Sequence, residues 1–205
     1  FFVVTVSIQV ASRHYHPVAY WLVVVATTTV GTTTSDYFDR TLGLGYIKSS
    51  IILFCLVIAT LVIWHRSTGA IAVDHITSRK NEVFYWLTIV ISNTLGTALG
   101  DFVADDAGLG FQRGALVFAG LIALVAGIHF FTKMPKSIVF WAAYVLTRPL
   151  GATLGDTLTK PHDAGGLNLG RISSSLVMVA AMVVLIAVTS LRKRPTEAGE
   201  TAASD

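Results

Sequence analysis

Six windows, each nearly or wholly free of charge and long enough to cross a bilayer, constrain this chain more than any other feature. Residues 172–191 (ISSSLVMVAAMVVLIAVTSL) run for 20 residues without Asp, Glu, Lys or Arg, and residues 17–35, 83–100 and 114–131 run for 19, 18 and 18. Residues 49–64 add 16 and extend back through Lys48 to Tyr46, and residues 137–155 add 19 with a single charge, Arg148, inside. A transmembrane helix takes about 20 mostly apolar residues. The pattern predicts six complete spans and an all-α fold, a polytopic transmembrane helix bundle. A water-facing surface is excluded by composition: 13% of residues are charged and 53% hydrophobic, where a soluble domain carries roughly 25% charged residues. The expected partner is the lipid bilayer, and nucleic acid is not expected. The lone Cys55 rules out an internal disulfide and any Cys-based metal site.

Within these spans the chain repeats itself. YWLVVVATTTVGTTTSD (Tyr20 to Asp36), YWLTIVISNTLGTALGD (Tyr85 to Asp101) and FWAAYVLTRPLGATLGD (Phe140 to Asp156) align without gaps. Each sets a Gly ten residues after a Trp (Trp21 and Gly31, Trp86 and Gly96, Trp141 and Gly151) and an Asp five residues further on. A glycine-rich turn follows, then a plainer apolar span. The domain reading is therefore one transmembrane domain over 1–191, with full repeats at 17–64, 83–131 and 138–191, and a polar tail at 192–205. Residues 1–12 (FFVVTVSIQVAS) are uncharged but short. They are expected to be the tail of a further repeat's second span rather than a signal peptide, since no basic segment precedes them.

On these residues the sequence resembles a family of uncharacterised bacterial membrane proteins described as four tandem repeats, each with two spans and a characteristic Trp. The resemblance covers essentially the whole chain and implies that Trp21, Trp86 and Trp141 are the repeat tryptophans. It implies no mechanism.

Loop charge predicts orientation. The side made of 11–16, 65–82, 132–136 and the tail carries nine Lys or Arg, and the side made of 36–48, 101–113 and 156–171 carries five, with seven Asp. The positive-inside rule places the nine-cation side and the C-terminus in the cytoplasm of a cell whose inner (plasma) membrane holds the protein. Fifteen residues from Trp to Asp span about 22 Å of helix, so Trp21, Trp86 and Trp141 are expected as interface anchors at one end, with the acids near the other.

The two helices of a repeat differ. The second is plainly aliphatic. The first is polar toward its Asp end, with Thr27 to Ser35 in one copy, Ser92, Asn93, Thr94 and Thr97 in the next, and Thr147, Arg148, Thr153 and Thr157 in the third. Such groups need partners inside a bilayer, which predicts motif helices at the centre and plain helices outside. The spacings Gly31-x3-Ser35, Gly96-x3-Gly100 and Gly151-x3-Gly155 fit close helix packing.

Candidate ion or substrate ligands are Asp36, Asp101, Asp156, Arg148, Thr32, Asn93, Thr97 and Thr153. Converging carboxylates and hydroxyls suit a hard cation, so a metal at Asp36, Asp101 and Asp156 is one expectation, and helix capping by the same acids is the other. No cofactor is implied beyond such a cation. Arg148, followed by Pro149, is a mid-span charge of the kind that has a partner and a role. The expected partner is Asp36 or Asp101, with an anion site as an alternative. Two functions follow: a transporter or channel for a small ion or solute, a cation first (divalent metal, Na⁺ or H⁺), or a non-transporting membrane scaffold or complex subunit. No nucleophile-and-base arrangement or nucleotide loop points to an enzyme. A homo-oligomer is left open.

Overall fold

The computed structural model describes residues 1–12, 17–71, 78–170, 172–181 and 184. Among these there is no strand, and the chain is helical throughout. The helices are α1 (Phe2–Ala11), α2 (Pro17–Asp36), α3 (Tyr46–Thr68), α4 (Arg79–Asp101), α5 (Gly110–Phe131), α6 (Lys136–Thr159) and α7 (Ile172–Ala181). Four are long and apolar enough to cross a membrane: Tyr46–Thr68, the continuous stretch Arg79–Asp106, Gly110–Phe131 and Lys136–Thr159. Helix α2 forms over its expected span and is long enough, but its hydroxyl-rich half makes it less apolar. Residues 182, 183 and 185–191 of the sixth expected span, and the tail, lie outside the described residues.

Local chemistry explains the boundaries. Ser78 caps α4 by accepting the Asn81 N–H at 3.2 Å, the usual role of a short hydroxyl side chain at a helix start. Gly69 closes α3 in a left-handed conformation with its N–H on the His65 carbonyl at 2.8 Å. The motif helices α2 and α4 do not stop at their Asp. Each runs into one wider turn, Tyr37–Thr41 and Phe102–Asp106, in which Leu42 N–H donates to Tyr37 O at 2.9 Å and Ala107 N–H to Phe102 O at 2.8 Å. The Gly-Leu-Gly that follows then reverses the chain. Gly43 and Gly45 have φ of 66° and 75°, and Gly108 and Gly110 have 66° and 70°, values that residues with a Cβ rarely adopt.

The described chain groups into two units, Phe1–Leu154 and Gly155–Asp205. In the first, α4 is the central helix. It packs against α1, α2 and α3, and 56% of its span is buried, against 33% for α3 and 17% each for α5 and α6. The expected layering holds for α4, while α6 corrects it: this motif helix is no more enclosed than the plain helix α5. The reason lies at its glycines, described below. In the second unit the chain after α6 folds back on itself. Leu167 N–H donates to Thr157 O at 2.7 Å and Asn168 N–H to Lys160 O at 2.8 Å, before Ser174 Oγ opens α7 on Gly170 O at 2.7 Å.

At the Trp end of the first unit the rings form a core of their own. Trp64 lies 6.0 Å from Trp141 and Tyr85 lies 5.9 Å from it, while Tyr20 sits 5.7 Å from Trp86. Trp86 and Trp141 are each 2% exposed, and Trp21 is 62% exposed. The expectation of three interface anchors therefore survives only for Trp21. Trp86 and Trp141 instead fill the space between helices, because edge-to-face ring packing inside the protein competes with the headgroup region for the same amphipathic rings.

Candidate functional site

The glycines fix how the motif helices meet. At Gly31 a Cβ would come within 2.7 Å of the Asn93 Cβ, and at Gly96 it would overlap the stem of Arg148. Gly100 lies against Ala152 and Pro149, the Ala152 Cβ being 3.3 Å from the added atom. One rule covers both helix pairs. The Gly ten residues after one repeat Trp receives the residue seven after the next repeat Trp: Asn93 on Gly31, Arg148 on Gly96. The third copy breaks the series. Nothing among the described residues lies within 4 Å of a Cβ at Gly151 or Gly155, so the expected packing role of these two is not met, and α6 has a motif neighbour on one side only.

This register assembles a polar layer at mid-span. Arg148, half-buried, carries its stem on α4 and donates from Nη2 to the Thr28 carbonyl of α2 at 3.4 Å. Asn93 is 4% exposed, and its carboxamide has no hydrogen-bond partner among the described residues. Thr28, Asn93 and Arg148 occupy the same place in the three repeats, seven residues after Trp. Neighbouring hydroxyls turn back to their own helices: Thr27 to Val24 O at 2.8 Å, Thr94 to Val90 O at 2.9 Å, Thr97 to Asn93 O at 3.2 Å and Thr153 to Pro149 O at 2.9 Å. Thr97 and Thr153 are buried, whereas Thr32 is exposed and leaves the set of candidate ligands.

The acids lie elsewhere. Asp36 pairs with Arg40 of the wide turn that follows it (Oδ1 to Nε 3.4 Å). The Arg40 guanidinium is held above its ordinary value first by the Tyr46 side chain, to which it hydrogen-bonds, then by Asp36, with a smaller push from Asp101. Asp36 is thus paired with a cation that the protein itself supplies. Asp39, one turn on, is buried and accepts from Ser35 Oγ at 3.1 Å through Oδ2, while its Oδ1 has no partner. Asp156 belongs to the second unit, within α6 rather than at its end.

Two expectations are corrected by this arrangement. Among the described residues no three or more His, Cys, Asp or Glu side chains are grouped so as to hold a metal ion, and Asp36 already has Arg40. Arg148 is paired with a backbone carbonyl rather than with Asp36 or Asp101. The geometry explains why: helix side chains lean toward the N-terminus, so Arg148 points away from the Asp end, and Asp101 lies five residues beyond Gly96, about 7 Å further along α4. Arg40 was legible in principle, since residues four apart share a helix face and Asp36-x3-Arg40 has that spacing. Tyr46 carries no such signal.

A family model described as Repeat of Unknown Function (DUF347) matches residues 19–70, 84–134 and 139–195, each stretch beginning two residues before a repeat Trp. No curated protein and no solved structure matches the chain.

Proposed function

We propose, from the premise that the chain belongs to this DUF347 repeat family, that it is a membrane transporter or channel for a small ion or solute. The observation that carries this reading is the mid-span layer of Thr28, Asn93 and Arg148. Among the described residues the Asn93 carboxamide has no hydrogen-bond partner and the Arg148 guanidinium no carboxylate, and such groups are expensive in a bilayer and mark pathways more often than scaffolding. The matching positions in successive parallel repeats agree with transporter sites built at repeat interfaces. In the proposed topology the nine-cation side and the C-terminus face the cytoplasm across the plasma membrane, and no catalytic role is assigned. The cation reading loses force because Asp36 already pairs with Arg40. A non-transporting scaffold is the second reading, favoured by the close approach at Gly31 and Gly96.

The test is flux. Full-length protein reconstituted in liposomes is assayed for uptake of tracer anions, tracer cations and small neutral solutes, with Asn93→Leu and Arg148→Met alongside. The transport reading expects a flux above that of protein-free liposomes which either change reduces at least tenfold. Folded, correctly inserted protein that passes none of these probes overturns it in favour of the scaffold.

A further inference from the structure

Resting on the transport reading for its purpose but not for its chemistry, we infer that the Arg148–Asn93 layer binds a small monovalent anion such as a halide, nitrate or short carboxylate.

The layer offers donors and little else. A guanidinium presents five N–H groups and keeps its charge at any physiological pH. Here one of them reaches the Thr28 carbonyl at 3.4 Å, a long contact for a hydrogen bond, and among the described residues no carboxylate pairs with Arg148. The Asn93 amide adds two further N–H donors in a residue 96% buried, by its 4% exposure, with no hydrogen-bond partner among those residues.

These donors lie at one level. Asn93 sits on Gly31, and Thr28 lies one turn before Gly31 on the same face of α2, with its carbonyl directed back toward Gly31 as helix carbonyls are. Arg148 therefore brings its guanidinium to the face of α2 that Asn93 meets one turn further on. The nearby Thr27, Thr94 and Thr97 have spent their hydroxyl protons on their own helices and contribute no negative charge.

Charge and position narrow the ligand. One fixed positive charge in a low-dielectric span is balanced by one negative charge, whereas a divalent anion would leave an excess. A planar fork suits an oxyanion or carboxylate, to which guanidinium donates in pairs. A lipid phosphate is too far: Arg148 stands seven residues from Trp141 and eight from Asp156, about 10–12 Å of helix from either end of the motif.

Purified full-length protein in a neutral detergent tests this by thermal unfolding. Sodium chloride, nitrate and acetate are compared with sodium gluconate at equal ionic strength, and sodium with potassium and choline chloride. A ligand of the native state raises Tm by mass action. The wild type is expected to gain several degrees in chloride, nitrate or acetate over gluconate, with no dependence on the cation. Arg148→Met keeps the stem that lies on Gly96 and is expected to lose the whole anion effect. Arg148→Lys, which keeps the charge without the fork, is expected to need about tenfold more anion for the same shift, and Asn93→Leu to fall between. An anion effect absent from the wild type, undiminished in all three variants, or replaced by a cation effect overturns the proposal. The liposome assay separates the two readings. Anion binding without flux leaves this site standing and removes transport, and cation flux indifferent to Arg148→Met does the reverse.

Discussion

Gly96 and Arg148 occupy a single contact, the one by its lack of a side chain and the other by the stem of its own, so that any Cβ at position 96 would overlap Arg148. Gly31 and Asn93 stand in the same relation one repeat earlier. The polar layer and the close approach of the motif helices are consequently one feature. The glycine that lets two backbones draw together is also what seats the polar residue of the next repeat at mid-span.

Gly96→Ala and Gly31→Ala are expected to destabilise the protein by about 1–3 kcal/mol each, the usual range for overfilling a packed contact. Gly151→Ala meets nothing within 4 Å among the described residues and is expected to be neutral, or to stabilise by up to about 1 kcal/mol through helix propensity. Thermal unfolding in detergent checks the order. Equal losses at all three sites would contradict the register described above.

The buried tryptophans differ in a way that substitution can read. Trp64 Nε1 donates to Asn81 Oδ1 at 2.9 Å, whereas the indole N–H groups of Trp86 and Trp141 have no partner among the described residues. Changing each to Phe removes a similar volume. Trp64→Phe is expected to cost about 1 kcal/mol more than the other two, because it alone breaks a hydrogen bond and strands its acceptor. Unfolding midpoints of the three variants, compared pairwise, are the measurement.

How much of this was legible beforehand depends on the kind of interaction. Three copies of Trp, Gly and Asp at constant spacing displayed the repeat, and the Gly-Leu-Gly turns followed from φ values that favour glycine. Gly31, Gly96 and Gly100 do lie in close helix contacts, as their spacing suggested, because small residues inside a span have few uses. What the sequence withheld was the register between helices. Whether Arg148 meets an acid or a carbonyl depends on how far α6 is shifted along α4, and no periodicity within one helix records that shift. The tryptophans were misplaced for a related reason. An indole suits a lipid interface and a ring cluster equally well, and only the neighbours Tyr20, Tyr85 and Tyr144 decide between them.

Ser92 is fully buried on α4 and its Oγ has no partner among the described residues. Ser92→Ala removes an unsatisfied hydroxyl and substitutes a better helix former, so it is expected to raise stability by about 1 kcal/mol. A clear loss of stability would mean that the hydroxyl has a partner in the folded protein, such as a bound water.

The Asp36–Arg40 pair is solvent-accessible, with 44% and 64% of the two side chains exposed. Asp36→Asn is expected to change stability by less than about 1 kcal/mol, and less still in high salt. Arg40 is raised by Tyr46 and then by Asp36. Its contribution is therefore complete below the unfolded arginine value and is lost only as pH climbs through the still higher folded one. Unfolding midpoints measured from roughly pH 6 to 9 should show no trend traceable to it. If Asp36→Asn abolishes flux in liposomes while Arg148→Met does not, the proposed mid-span pathway is overturned in favour of the Asp end.

The glycine register has a consequence for how the protein is made. Gly31 is filled by Asn93 and Gly96 by Arg148, so each motif helix waits for the repeat that follows it. A ribosome adds about 5–20 residues per second, which leaves α2 in the membrane for seconds before α4 arrives to cover Gly31. Arg148 comes later still. Its charge enters a bilayer in which α2 already offers the Thr28 carbonyl and α4 the bare surface of Gly96, so the most costly residue of the chain is inserted only after its reception has been built. The order of synthesis and the order of assembly are in this way the same.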